Sequence, residues 1–181
     1  MKILITGAFG YLGGRISSFF SSSQSEIEIV LASSRALKIQ YSSKNIKVVQ
    51  INWKDEESIS SACANIDVII HTAGMNAQDC NINPEEANNV NGVYTAKLVK
   101  SAILNKVKKI IFFSTAHVYG NPLKGIITED VSPKNKHPYS TSNLAGENSI
   151  IQAHLSGKLQ GIVLRLSNCI GPPKDINSNC W

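Results

Sequence analysis

Three glycines at fixed spacing offer the first chemical handle on this chain. TGAFGYLG (6–13) places Gly7, Gly10 and Gly13 as G-x-x-G-x-x-G. At such a spacing the first glycine permits a tight turn. The second lets the backbone approach a pyrophosphate, and the third lets a helix pack closely on a strand. Free amides and the positive dipole end at a helix start then favour phosphate charge. The chemistry implied is dinucleotide binding. An acidic residue at the end of the next strand would hydrogen-bond the ribose 2′-hydroxyl of NAD. The chain instead reads Leu31-Ala32-Ser33-Ser34-Arg35, with no carboxylate. Two hydroxyls and a guanidinium suit the 2′-phosphate of NADP. The expected cofactor is NADP or NAD, with NADP favoured.

Other chemistries find little footing. The four cysteines (Cys63, Cys80, Cys169, Cys180) form no C-x-x-C pair, and no histidine lies at zinc-finger spacing. Free thiols in a reduced compartment, and no metal centre, are expected. The net charge of +5 comes from lysines scattered as KNIK, KVKK and KNKH, which flank apolar runs. A nucleic-acid site concentrates charge on one face and interleaves aromatics, so no nucleic-acid partner is expected. No apolar run reaches the roughly 18–20 residues of a membrane helix. MKILITG reads as a strand entering a glycine turn rather than a secretory leader. A cytoplasmic address follows.

The elements that must position these residues alternate. Apolar runs at 2–6, 27–32, 47–51, 67–74, 109–115 and 161–168 read as six strands. Helices are expected over 11–22, from the DEES stretch through Cys63, over 84–105 with Pro84 in its first turn, and over 139–155. This alternation implies right-handed crossovers and an α/β doubly wound, Rossmann-type parallel sheet with helices on both faces. Ligands bind at the carboxyl ends of the strands in such sheets.

The unusual residues fall there, and together they resemble the extended short-chain dehydrogenase/reductase family of sugar-nucleotide epimerases, dehydratases and reductases. TGAFGYLG resembles its opening TGxxGxxG, and Asn52-Trp53 fall where the family meets the adenine. HTAG (71–74), NVNGVYT (89–95), STAHVYG (114–120), PYSTSN (138–143) and RLSNCIGP (165–172) resemble its later motifs in order. The resemblance implies that Gly7, Phe9, Gly10, Tyr11, Leu12, Ser33, Ser34, Arg35, Asn52, Trp53, Thr72, Ala73, Gly74, Asn91, Ser114, Tyr139, Asn143, Leu166 and Asn168 bind the cofactor. It implies hydride exchange with a carbon bearing a hydroxyl. Tyr139 then moves the hydroxyl proton and Thr115, with Ser114, orients the oxygen. Met75, Thr115, His117 and Asn168 would face a nucleotide-activated sugar. His71 is read as a packed strand residue, and His137 and His154 as surface. A homodimer through the helices at 84–105 and 139–155 is a further implication of the resemblance.

Two departures qualify the activity. The family's tyrosine motif is Y-x-x-x-K, and here Asn143 stands in the lysine position, with Asn135 and Glu147 at nearby helical spacings. A cation about 4–5 Å from a phenolate, at an effective dielectric near 20, is worth about 3–4 kcal/mol. Losing half of that raises the tyrosine pKa by about one unit or more. Cofactor binding is expected to survive while turnover weakens, so the alternative function is a binding module acting as sensor or scaffold. The second departure is length. Residues 1–171 read as the dinucleotide-binding domain, and 172–181 as the start of a truncated substrate-binding region.

Overall fold

In a computed structural model, residues 1–22, 26–36, 45–169 and 171 are described. The expected end region at 172–181 therefore lies outside the described residues. The strands are β1 (Lys2–Thr6), β2 (Glu28–Ser33), β3 (Ile46–Gln50), β4 (Val68–His71), β5 (Lys109–Thr115) and β6 (Gln160–Leu166). They form one parallel sheet in the order β3-β2-β1-β4-β5-β6. The chain order reverses between β1 and β4, which opens a crevice at their carboxyl ends.

Both faces of the sheet are buried, which is why the central strands read as unbroken apolar runs rather than alternating ones. On one face Leu4, Val30, Ile69, Ile110 and Phe112 pack with α2 (Glu56–Cys63), α5 (Tyr94–Leu104) and α6 (Pro138–Leu155). On the other, Ile3, Ile5, Ile29, Leu31 and Ile70 meet Ile16 and Phe20 of α1 (Tyr11–Ser22). Leu4, Ile5, Leu31, Ile69 and Ile110 have no accessible surface to the nearest percent. Each contributes about 1.5–3 kcal/mol relative to an exposed side chain.

The helix expected over 84–105 is three pieces. A separate α3 (Ala77–Ile82) precedes it, and α4 (Pro84–Ala87) runs through a π-turn at Asn88–Val93 into α5. The breaks have local causes. Asn76 caps α3 by accepting from the Asp79 amide, and Asn83 caps α4 by accepting from the Glu86 amide, with Pro84 in its first turn. In the π-turn the Tyr94 amide reaches back five residues to the Asn89 carbonyl. The strand expected over 67–74 stops at His71, and a short 3-10 turn at Ala116–Val118 follows β5. Both changes release the small and hydroxyl residues from the sheet at its functional edge.

Candidate functional site

At the switch point the glycine turn is tight enough to dictate its own composition. Gly7 adopts φ +67°. A Cβ on Gly13 would lie 2.1 Å from the Gly7 carbonyl oxygen, and one on Gly7 would lie 2.7 Å from the Ala73 amide nitrogen. Gly10 is exposed, and a Cβ there would meet only the Gly7 oxygen, at 3.4 Å. Two glycines thus let the chain close, and the third leaves the outer face of the turn bare beside the first amides of α1. This cradle fits a diphosphate. Thr72 closes the crevice floor by donating its hydroxyl to the Thr6 carbonyl at 2.7 Å. Phe9 and Leu12 are half-buried, and Phe9 packs on the α1-side core. The Tyr11 phenol donates to the Gly171 carbonyl at 2.9 Å, so the chain after β6 returns over β5 and β4 towards α1.

Further along the carboxyl edge, the ends of β2 and β3 hold the next group. Ser33 accepts from the Arg35 amide through its hydroxyl, the Ser34 carbonyl accepts from Gln50, and Ser34 and Arg35 are exposed. Asn52 is exposed, its side chain accepting from the Lys54 amide. Trp53 is half-buried, with one indole face stacked on Tyr94 at 6.1 Å and 10°.

The residues expected on the reaction side converge from three elements. Thr115 ends β5 and accepts from the His117 amide at 3.1 Å, and its hydroxyl lies beside the phenol of Tyr139 on α6, close enough to favour the phenolate. Burial pushes the Tyr139 phenol above its ordinary pKa, and the Thr115 hydrogen bond pulls it partly back. Asn143 lies one turn beyond, buried, and donates its amide to the Tyr139 backbone carbonyl at 2.7 Å. Leu166 sits opposite Thr115 in register, and Asn168 is exposed just past β6. His117 is half-buried. Its carbonyl accepts from Asn135 and Ser140, and its Nδ1 is buried with no hydrogen-bond partner among the described residues.

Two expected contacts are otherwise engaged. The Ser114 hydroxyl points to Glu147, at 2.5 Å, rather than acting beside Thr115. The Asn91 side chain is spent on the protein: it accepts from the Met75 amide at 2.8 Å and donates to Ser142 at 3.0 Å and to the Cys80 sulfur at 3.5 Å. Gly74 lies against that same side chain. His71 is the packed strand residue expected, 1% exposed. His154 is exposed, whereas His137 is half-buried and caps α6, its Nδ1 accepting from the Tyr139 amide at 3.2 Å. A histidine can cap because its unprotonated ring nitrogen is an acceptor.

Sequence reasoning missed the clamp behind the reaction side. Glu147, 1% exposed, accepts from Arg165 Nε at 3.0 and 3.1 Å and from its Nη2 at 2.6 Å, while Nη1 donates to the Tyr119 hydroxyl at 2.6 Å. The clamp joins β5, α6, β6 and the segment after β5. Its signal was present in the sequence, as a lone arginine inside an apolar strand and an acid two turns past Tyr139. Among the described residues no cluster of metal-ligating side chains occurs, and no helix is long and apolar enough to cross a membrane.

Comparison with known proteins bears on this site. The profile of the NAD dependent epimerase/dehydratase family matches residues 3–179. The UDP-glucose 4-epimerase of Bacillus subtilis (strain 168) is 29% identical over 175 residues, covering 91% of this chain and 51% of the epimerase. The dTDP-D-glucose 4,6-dehydratase of Dictyostelium discoideum is 26% identical over 201 residues, covering 94% and 44%. The chain thus spans about half the length of these curated relatives. Among solved structures, MoeE5 in complex with UDP-glucuronic acid and NAD superposes with a TM-score of 0.85 at 22% identity, covering 98% of this chain and 58% of MoeE5. At that identity the likeness speaks for the fold alone.

Proposed function

The chain belongs to the NAD dependent epimerase/dehydratase family, and from that premise we propose that it binds NAD or NADP and acts on a nucleotide-activated sugar by reversible hydride transfer. The observation that carries this reading is the placing of the Thr115 hydroxyl beside the Tyr139 phenol at the carboxyl edge of a sheet whose first turn is a glycine cradle. When bound, the nicotinamide supplies a two-electron acceptor and donor; everything else falls to the protein. The glycine turn at Gly7 and Gly10 admits the diphosphate to the amides of Tyr11 and Leu12 at the start of α1, and Thr72–Gly74 floor the crevice. Tyr139 removes and returns the proton of the reacting hydroxyl. Thr115 orients that oxygen as charge develops on it. Met75, His117 and Asn168 border the sugar. Asn143 meets the nicotinamide ribose with the amide atoms left after its bond to the Tyr139 carbonyl. Asn91 and Ser114 contribute by position, through Met75, Ser142 and Glu147.

For the adenine end, Ser33, Ser34 and Arg35 favour NADP, whereas structural neighbours carry NAD. The reading extends to a cytoplasmic protein that pairs through α5 and α6. The exposure of Leu104 (68%) and Leu155 (73%) on those helices supports the pairing. It also takes 1–171 as the dinucleotide-binding domain and 172–181 as the opening of a substrate-binding region.

Incubating the protein with NAD or NADP and a panel of sugar nucleotides tests the function. Product formation or absorbance change at about 340 nm is expected with at least one pair; silence across the panel overturns the reading. A parallel titration is expected to show tighter binding of NADP. The second reading, a weakened module that senses cofactor, is favoured by one observation: the Tyr139 phenol is raised with only uncharged Asn143 one turn away. Cofactor binding without turnover would select it.

A further inference from the structure

Beneath the crevice runs a continuous chain of buried, uncharged hydrogen bonds, of which the functional reading uses only the Asn91 end. Thr6, the residue before Gly7, contacts His71 Nδ1 through its hydroxyl at 2.5 Å. His71 Nε2 contacts the Thr95 hydroxyl at 3.0 Å. Thr95 in turn donates to the Asn91 carbonyl at 2.8 Å. Asn91 then donates through its side chain to Ser142, and Ser142 donates to the Tyr139 carbonyl at 3.2 Å. Thr6, His71, Thr95, Asn91 and Ser142 are all at most 2% exposed.

The directions along this chain are fixed by counting protons. A threonine hydroxyl has one proton, and Thr95 gives its proton to the Asn91 carbonyl. Towards His71 it can therefore only accept, so His71 carries its proton on Nε2. His71 Nδ1 is then bare and accepts from Thr6. Ring contacts hold the imidazole on both sides, with Phe112 stacked at 5.4 Å and Trp53 tilted at 6.0 Å. Midway along the chain Asn91 lies in the π-turn, an arrangement found at functional sites more often than elsewhere. There Asn91 holds the Met75 amide as well as Ser142, and so touches both walls of the site.

We propose that His71 is a positioning residue: as the Nε2–H tautomer it spans from the residue before the glycine turn to Thr95, and thereby fixes the π-turn from which Asn91 sets Met75 and the Tyr139 end of α6. A satisfied core histidine would need only two partners. Here the partners belong to β1 and α5, and the line continues to both groups that border the reacting centre. The consequence for turnover rests on the hydride-transfer reading above; the geometric claim does not.

The test is nitrogen-15 NMR of the protein at neutral pH, with Thr95→Val as the isosteric break and Thr95→Ser as the conservative rescue. Wild type should show His71 protonated on Nε2 and bare on Nδ1. Thr95→Val should move the Met75 and Asn143 amide resonances while the dissociation constant for NAD stays within about threefold. With an active substrate pair, kcat should fall about tenfold or more at nearly constant KM. Thr95→Ser should restore each of these. An Nδ1–H tautomer, unmoved Met75 and Asn143 resonances in Thr95→Val, or failure of the serine to rescue overturns the proposal. Absence of NAD binding or turnover in wild type would sink the functional reading instead, and leaves the tautomer and the two resonances to decide this one.

Discussion

Tyr139 sits where its own ionisation is disfavoured. Burial raises its pKa, a hydroxyl from Thr115 recovers part of the loss, and Asn143 one turn on brings no charge. A base whose pKa is raised is less ionised at any given pH, so under the proposed function alcohol oxidation should climb as pH rises and keep climbing into the alkaline range. Asn143→Lys introduces the missing cation. It should move the rising limb of the kcat profile towards acid by about one unit or more and raise neutral turnover about tenfold. A profile unchanged by the lysine would mean that Tyr139 is not the titrating base. Residue identity made this legible from the start, because Y-x-x-x-N is visible in the string. What the string hid is that the Asn143 amide bonds the carbonyl of Tyr139 itself, a contact that exists only once α6 has formed.

Elements carry two further expectations. The turn before α1 is closed by backbone contacts, so its glycines differ in kind. Gly10→Ala adds a methyl 3.4 Å from the Gly7 carbonyl oxygen and should leave stability within about 1 kcal/mol. That methyl occupies the bare outer face of the cradle, so isothermal calorimetry should show NAD binding weakened about tenfold or more. Unchanged affinity would place the diphosphate elsewhere. Behind the site, β5, α6 and β6 are joined by Glu147 and Arg165. Glu147→Gln leaves the half-buried Arg165 guanidinium without its counter-charge. That should cost about 2–3 kcal/mol in denaturant unfolding, less than for a fully buried pair because water still reaches the guanidinium. A loss under about 1 kcal/mol would show that the clamp is a minor contributor. Helical periodicity located α6 but gave no hint of α3 or the π-turn. The start of α3 follows from the Asn76 cap, which is short-range chemistry without a period, and the π-turn from a hydrogen-bond shift of one residue that leaves the apolar spacing unmarked.

At the scale of the whole molecule, acid should loosen the fold through its interior. Burial lowers the pKa of His71 from the ordinary 6.5 to about 4. Between those values the unfolded chain binds a proton that the folded chain refuses, so stability falls as pH drops from about 6.5 towards 4 and is unaffected above neutrality. The full span is worth at most about 3 kcal/mol. Urea unfolding at about pH 7 and pH 4.5 measures it, and a His71→Gln variant should lose that part of the dependence. Equal stability at the two pH values, or the same slope in the variant, would remove His71 from the account.

The doubly wound parallel sheet was readable because apolar runs alternate with helical ones, and that architecture buries every run; the strand order came only with the structure. The glycine spacing at 7, 10 and 13 and the positions of Thr115 and Tyr139 were equally local facts of the chain. Only the folded molecule decided which polar groups face the crevice and which spend themselves on one another. Ser114 turned to Glu147 and Asn91 to Met75 and Ser142 because their partners lie 33, 16 and 51 residues away. Hydrogen-bond pairing at that range depends on how strands and helices stack, and a one-dimensional pattern does not carry it.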